Sequence, residues 1–189
     1  MADRETGIWG KGDLLKGHKH DRKLVKAIGK MFDPKKVADL GCGDGWYCQY
    51  FKEYAGWPIV HGYEGAIPKE PLYEDIQFID LSKIRYVEID YDLVICLEVG
   101  EHIPKKHEQK FLDNIARFSS DKLVLSWAIP GQGGRGHFNE QTNEYVIGEM
   151  KKRGFDHLWW ESEELRNRNN TELKWFKNTV MVFEREKSI

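Results

Sequence analysis

The segment Val37–Tyr47 (VADLGCGDGWY) constrains the fold of this chain more than any other part of it. Residues Lys36–Leu40 are a short apolar run that predicts a buried strand, and the glycines crowded into residues 41–45 predict a loop. Residues Trp46–Tyr54 then have the spacing of a helix. In open α/β sheets, a strand, loop and helix in this order border a ligand crevice at the carboxyl end of the strand. Glycines in such a loop let the backbone approach a ligand closely and adopt positive φ angles.

Strands and helices alternate along the rest of the chain. The further predicted strands are Ile59–Tyr63, Ile76–Ile79, Tyr91–Leu97, Lys122–Ala128, Phe155–Trp160 and Trp175–Glu184. The other predicted helices are Leu24–Met31, Lys106–Phe118 and Asn139–Arg153, the last with Asn139 as its N-cap. Continuous apolar strands separated by helices indicate a mostly parallel sheet covered on both faces. We therefore predict a Rossmann-like, doubly wound α/β fold, with seven strands, helices on both faces and the last two strands antiparallel at one edge.

The length of 189 residues suits one domain, which we expect to span residues 1–189, with residues 1–32 as an amino-terminal cap or arm plus the first helix. The 29 Lys and Arg residues nearly balance the 31 Asp and Glu residues, which argues against a dedicated nucleic-acid-binding module. No run approaches the roughly 18 apolar residues of a membrane helix, and no signal peptide opens the chain. The three cysteines form no CxxC pair. These features predict a cytoplasmic protein with free thiols and no membrane partner.

The glycine loop departs from the dinucleotide-binding pattern GxGxxG, because Trp46 stands where the third glycine would fall. Asp39, two residues before the first glycine, would repel a pyrophosphate but suits a ligand that carries an ammonium or sulfonium charge. The sequence D-L-G-C-G-D-G resembles the first motif of class I S-adenosylmethionine-dependent methyltransferases. This resemblance implies S-adenosylmethionine as the cofactor, bound by Asp39, Gly41, Gly43 and Gly45.

Further positions follow the order of the same family. Glu64 ends the second strand, where the resemblance implies a carboxylate that accepts both ribose hydroxyls. Asp80 and Leu81 follow the third strand, where such enzymes often contact the adenine, and Leu97 ends the fourth strand at the cofactor. As alternatives, Glu64 and Asp80 are solvated loop acids.

Glu98, Glu101 and His102 follow the fourth strand at positions i, i+3 and i+4, so one helical turn would bring them together. Two carboxylates beside an imidazole favour a divalent cation such as Mg²⁺ or Mn²⁺. The segment resembles E-x-x-E-H in the ubiquinone-pathway O-methyltransferases and the small-RNA 2′-O-methyltransferases. The resemblance implies that these three residues hold a metal that chelates neighbouring substrate hydroxyls, and that a later histidine, here His137, completes the site.

A site without metal is the alternative. Many methyltransferases that use no metal also carry Glu-His at this position, where the pair orders the loop. His102 or His137 would then be the general base, and Glu101 would remain part of the catalytic site.

The loop Ser126–Thr142 contains four glycines and several polar side chains, which is typical of a substrate-binding segment. His18 and His20 precede the first helix, in a region that family members often fold over the substrate, although we expect them at the surface. Together these features predict an O-methyltransferase for a sugar, a glycan or another small molecule with vicinal hydroxyls. The alternatives are RNA 2′-O-methylation, a metal-independent N- or O-methyltransferase, a cofactor-binding domain without activity, and a nicotinamide-dependent oxidoreductase.

Overall fold

One seven-stranded sheet forms the centre of the protein. The computed structural model describes residues 1–10, 13, 19–86 and 88–187. Its strands are β1 (Lys36–Leu40), β2 (Ile59–Glu64), β3 (Ile76–Phe78), β4 (Tyr91–Leu97), β5 (Ser119–Ser126), β6 (Phe155–His157) and β7 (Met181–Arg185). They lie in the order β3-β2-β1-β4-β5-β7-β6. Strands β1 to β5 are parallel, and β7 runs antiparallel to both β5 and β6. The predicted fold class, including the antiparallel edge, is confirmed.

Helices cover both faces of this sheet. They are α1 (Arg22–Met31), α2 (Trp46–Glu53), α3 (Glu108–Phe118), α4 (Asn143–Lys151), α5 (Trp159–Arg166) and α6 (Phe176–Thr179). Because successive strand side chains point to opposite faces, Leu93 and Ile95 pack under α1 and α2, whereas Val94 and Cys96 pack under α3. The connections turn in opposite directions on either side of β1 and β4, so a crevice opens at the carboxyl ends of these two strands.

The carboxyl-terminal third differs from the prediction. The strand predicted over Phe155–Trp160 ends at His157, and α5 begins at Trp159. This helix buries only Ser162 and Leu165. Because so few of its side chains are buried, the sequence of this segment lacks the apolar periodicity that predicts a helix. The strand predicted over Trp175–Glu184 is likewise wrong in its first half, where α6 precedes β7.

The helix predicted from Asn139 begins at Asn143 instead. Its N-cap is Thr142, whose hydroxyl accepts a hydrogen bond from the Tyr145 amide. Asn139 is buried, and its side-chain amide donates to Glu108 at 2.9 Å. Its backbone carbonyl accepts from the indole of Trp127 at 2.6 Å. Asn139 therefore anchors the end of the loop, and the capping role predicted for it is wrong.

Residues 1–10 fold back over the carboxyl edge of the sheet. Ala2 and Trp9 form an antiparallel bridge, and the Asp3 amide donates to the Ile8 carbonyl at 2.8 Å. We call this segment the amino-terminal strap. The three cysteines are buried and unpaired, as expected. Among the described residues, no helix has the length and apolar character needed to cross a membrane.

Candidate active site

A cleft of about 380 Å³ opens at the carboxyl ends of β1, β2 and β4. The glycine loop, the segment after β4, the loop after β5 and the amino-terminal strap form its walls. Of the residues predicted for the site, those that line the cleft are Asp39, Gly41, Gly43, Glu64, Leu81, Leu97, Glu98, Glu101, His102 and His137. Gly45 and Asp80 do not line it.

The glycine loop depends on left-handed backbone conformations. Gly41, Gly43 and Gly45 have φ angles of +80°, +62° and +81°. At Gly41 a side chain is also excluded by contact, because a Cβ atom would lie 2.4 Å from Cγ2 of Val99. Gly45 serves the packing behind the loop, where a Cβ atom would meet Tyr73 at 2.6 Å. The loop therefore presents bare backbone to the cleft at 41 and 43 only.

Two buried carboxylates flank this loop. Asp39 accepts a hydrogen bond from the Cys48 thiol at 3.6 Å, and burial raises the pKa of its carboxyl to about 7. Glu64 accepts hydrogen bonds from the amides of Gly43 at 3.0 Å and Ala66 at 2.9 Å, and burial raises its pKa as well. An acid desolvated in this way gains from a cationic or hydroxyl-bearing ligand, which restores its lost solvation.

Asp80 is directed elsewhere. Its carboxylate accepts from the amide of Ser82 at 3.0 Å and from the hydroxyl of Ser82 at 2.6 Å, and it pairs with Lys83 at 3.0 Å. The side chain thus holds the turn after β3, and Leu81 beside it reaches the cleft. Asp80 is neither at the cofactor wall nor the solvated acid of the alternative interpretation, because it is 3% exposed.

The helical turn predicted to join Glu98 to Glu101 and His102 does not form. Glu98 has a φ angle of +55°, and among the described residues it is the one non-glycine with positive φ. The chain leaves β4 through this strained residue before a 3-10 turn at Gly100–His102. Glu98 turns towards β5, where its carboxylate accepts hydrogen bonds from Ser126 at 2.9 Å and Gln132 at 2.8 Å.

Glu101, His102 and His137 come together instead. One potential metal-ligand atom from each lies within 4.8 Å of the other two. Nε2 of His137 is 4.0 Å from Oε1 of Glu101. Both carboxylate oxygens of Glu101 are buried and accept no hydrogen bond of good geometry, although the backbone amides of Glu101 and Ala128 lie near enough to lower its pKa slightly against the effect of burial. Burial, reinforced by the negative charge of Glu98, raises the pKa of Glu101 well above its ordinary value. A buried carboxylate that accepts no hydrogen bond of good geometry is rare in proteins and indicates a missing partner.

Each of the two histidines is oriented by a hydrogen bond at its Nδ1 atom. Nδ1 of His102 lies 2.9 Å from the Gly136 carbonyl, and Nδ1 of His137 lies 3.1 Å from the Glu140 carboxylate. Both acceptors lack a proton, so Nδ1 is the donor in each ring, and in a neutral imidazole held in this way the lone pair is on Nε2. Burial lowers the pKa of His102 to about 4, which keeps its ring neutral. Fixing a ligand histidine through its other nitrogen is typical of metal sites.

The strap and the segment before α1 add residues that the sequence did not assign to the site. Trp9 lines the cleft, and the edge of its ring contacts the ring of His102, with centroids 5.1 Å apart. The apolar pair Ile8-Trp9 within a polar stretch was the available signal. His20 stacks on Trp46 at 4.7 Å and lies 3.2 Å from Asp44. It lines the cleft and is half-buried, whereas a surface position was expected. His18 lies outside the described residues.

Comparison with known proteins identifies the family of the chain. Residues 17–166 match the family model described as a methyltransferase domain. Small RNA 2′-O-methyltransferases of Gallus gallus and Mus musculus are 24% and 27% identical over 132 and 130 residues, in each case 57% of this chain. The chain aligns with only about a third of each relative, 34% and 32%.

The fold is also that of a solved methyltransferase. SAM-bound CalS10, an amino pentose methyltransferase from Micromonospora echinaspora, has a TM-score of 0.63 at 14% identity, over 85% of this chain and 89% of its own. At this identity the likeness concerns the fold alone. The family match covers most of the chain and includes the glycine loop, and the nicotinamide-dependent and non-enzymatic alternatives have no support. The chain therefore belongs to the methyltransferase-domain family.

Proposed function

We propose that this protein is a divalent-metal-assisted O-methyltransferase whose acceptor is a sugar, a glycan or another small molecule with vicinal hydroxyls. The observation that carries this proposal is the Glu101 carboxylate, which is fully buried, accepts no hydrogen bond of good geometry and lies beside the ring nitrogens of His102 and His137. Left alone, such a carboxylate is costly to bury, and a bound cation removes the cost.

The donor set also indicates the kind of cation. One carboxylate and two neutral imidazoles suit Mn²⁺ better than Mg²⁺, because Mg²⁺ prefers oxygen ligands. Zn²⁺ accepts the same set and belongs in any test. Three protein ligands leave coordination positions open for an acceptor. Glu98 is not needed as a ligand, since Ser126 and Gln132 already bind its carboxylate.

Different residues of the cleft would position the cofactor and the acceptor. We assign the ammonium group of S-adenosylmethionine to Asp39, the ribose hydroxyls to Glu64, and apolar contacts with the cofactor to Leu81 and Leu97, all of which line the cleft. A cation held by the Glu101 cluster would fix two neighbouring acceptor hydroxyls and lower the pKa of the reacting one. Holding that oxygen in line with the methyl group then supplies much of the rate enhancement.

The test is methyl transfer from tritiated S-adenosylmethionine to methyl pentosides, each compared with its 2-deoxy analogue. Chelator-treated protein should be inactive, Mn²⁺ should restore transfer, and the deoxy analogues should fail. Glu101→Ala and His137→Ala should lower the rate by about a hundredfold or more and leave the affinity for S-adenosylhomocysteine unchanged. Glu144→Ala, an exposed acid on α4, is the matched control. Full activity in chelator, or in Glu101→Ala, would contradict the proposal.

Methylation of a ribose 2′-hydroxyl in RNA is a second candidate, favoured by the two relatives named small RNA 2′-O-methyltransferases. A terminal ribose carries the same pair of vicinal hydroxyls as a free sugar. Transfer to a short RNA, with an affinity that falls steeply as salt rises, and no transfer to pentosides would favour RNA as the acceptor. The reverse result would favour the small molecule.

A further inference from the structure

Among the described residues that line the cleft, two side chains besides the histidines are basic, and they belong to different segments of its wall. Lys19 precedes His20, near the glycine loop, with its ammonium 6.0 Å from the centre of the Trp175 ring. Arg135 belongs to the loop after β5, which also carries His137 of the Glu101 cluster. Each is a position at which the cleft can receive negative charge.

The cofactor accounts for only one of these positions. S-adenosylmethionine carries a single carboxylate, at the same end as its ammonium group. Under the proposed function that end lies at Asp39, on the same side of the cleft as the segment that carries Lys19. Arg135 is therefore left without a role in cofactor binding.

Arg135 is adjacent to the reacting end of the site. The next residue, Gly136, accepts the hydrogen bond that orients His102, and His137 follows it. The guanidinium lies 5.7 Å from the centre of the Trp9 ring, whose edge contacts His102. Arg135 and Trp9 thus form one patch, a cation beside an aromatic ring, next to the proposed metal ligands.

A carboxylate of the protein already contacts this cation. Nη2 of Arg135 lies 3.1 Å from Oδ1 of Asp13, and the Arg135 side chain is 44% exposed. An exposed ion pair of this kind is weak, so an anion presented by a bound acceptor can replace Asp13. The guanidinium has the geometry to bind a phosphate with two hydrogen bonds.

We infer that Arg135, together with Trp9, selects an acceptor that carries a phosphate close to the hydroxyl that is methylated. The inference rests on the proposed function, because it places the reacting hydroxyls at the Glu101 cluster. It narrows the acceptor class from sugars in general to phosphorylated sugars. Asp13 competes with that phosphate for Arg135 until the acceptor binds.

The experiment measures binding by calorimetry to protein saturated with S-adenosylhomocysteine and Mn²⁺. The probes are uridine, uridine 5′-monophosphate and the dinucleotide UpU, which share a ribose with vicinal hydroxyls. The phosphate should strengthen binding of the monophosphate over uridine by about tenfold or more. Arg135→Ala should abolish this gain without changing the affinity for uridine, and Arg135→Lys should restore part of it.

Asp13→Asn should act in the opposite direction and strengthen binding of the monophosphate, because it removes the competing charge. Arg117→Ala, an exposed arginine on α3, is the control and should change nothing. A gain with UpU alone would assign the phosphate to an oligonucleotide, and a gain with both to phosphorylated sugars generally. Equal binding of all three probes, binding of none, or a gain that survives Arg135→Ala would overturn the inference.

Binding of S-adenosylhomocysteine and of Mn²⁺ is measured for every variant. If Mn²⁺ fails to bind, the proposed function fails. If both bind and the phosphate adds nothing, only the inference about Arg135 fails.

Discussion

At the scale of single residues, the site combines buried acids that have different partners. Asp39 and Glu64 accept hydrogen bonds from a thiol and from loop amides, respectively. Glu98 accepts hydrogen bonds from β5 and the loop after it. Glu101 alone among these four accepts no hydrogen bond of good geometry. Similar residue types in one cleft thus have different chemistry, because the cost of burying a carboxylate depends on what faces it.

Asp39 should make cofactor binding depend on pH. Its pKa in the free protein is about 7, so below that pH the carboxyl is mostly protonated and cannot pair with an ammonium group. The affinity for S-adenosylhomocysteine should therefore rise as the pH increases from 5.5 towards 7 and then level off. Calorimetry across this range checks the prediction. Methylthioadenosine lacks the amino-acid end and is the control, which should bind with little dependence on pH, and the same slope for both ligands would refute the role of Asp39.

Glu140 should act on the metal site through His137. Its carboxylate accepts from Nδ1 of His137 and from the amides of Gly131 and Gly133, both at 2.8 Å. Glu140→Ala should weaken Mn²⁺ binding by about tenfold to a hundredfold, the usual effect of losing a partner of a ligand histidine. Glu140→Gln keeps one acceptor oxygen and should lie between this variant and the wild type. Unchanged Mn²⁺ affinity in Glu140→Ala would show that Glu140 does not orient a metal ligand.

At the scale of elements, the 3-10 turn after β4 packs closely against a single aromatic ring, the indole of Trp127. Trp127, at the end of β5, is fully buried and contacts Phe111 of α3 edge to face, with centroids 5.4 Å apart. A Cβ atom on Gly100 would lie 2.4 Å from this indole. The turn that carries Glu101 and His102 therefore sits directly on the core.

Gly100→Ala and Gly148→Ala should have opposite effects on stability. At Gly100 the added methyl overlaps the Trp127 ring, so the free energy of unfolding should fall by about 1–3 kcal/mol or more. At Gly148, within α4, the new methyl would meet no atom within 4 Å outside the backbone of its own helix. The free energy of unfolding should therefore rise by about 0.5–1 kcal/mol. Urea unfolding of both variants checks this. Equal stability of the two would contradict the packing described here.

At the scale of the whole molecule, much of the fold could be predicted from the sequence because its signals are local. The glycine loop and the apolar strands each lie within a few residues, and β1, β2 and β4 form nearly where they were predicted. Helix α5 could not be predicted, since it buries only two side chains and leaves its two tryptophans, Trp159 and Trp160, exposed.

The site was only partly predictable, because it depends on contacts between distant segments. His137 reaches Glu101 across 36 residues, since β4 and β5 pair as neighbours and the loop after β5 folds back over both. The departure of Glu98 from its predicted partners follows from a left-handed backbone, which a glutamate does not favour locally. Trp9 and Arg135 approach each other only because the strap crosses the cleft.

The central claim is that Glu101, His102 and His137 bind one divalent cation, and electron spin-echo spectroscopy of bound Mn²⁺ tests it most directly. The protein with S-adenosylhomocysteine should bind one Mn²⁺ per chain, with hyperfine coupling to two histidine nitrogens. His102→Ala and His137→Ala should each remove one of these couplings, and Glu101→Ala should weaken binding sharply. Absence of Mn²⁺ binding at millimolar concentration, or bound Mn²⁺ without nitrogen coupling, would contradict the account.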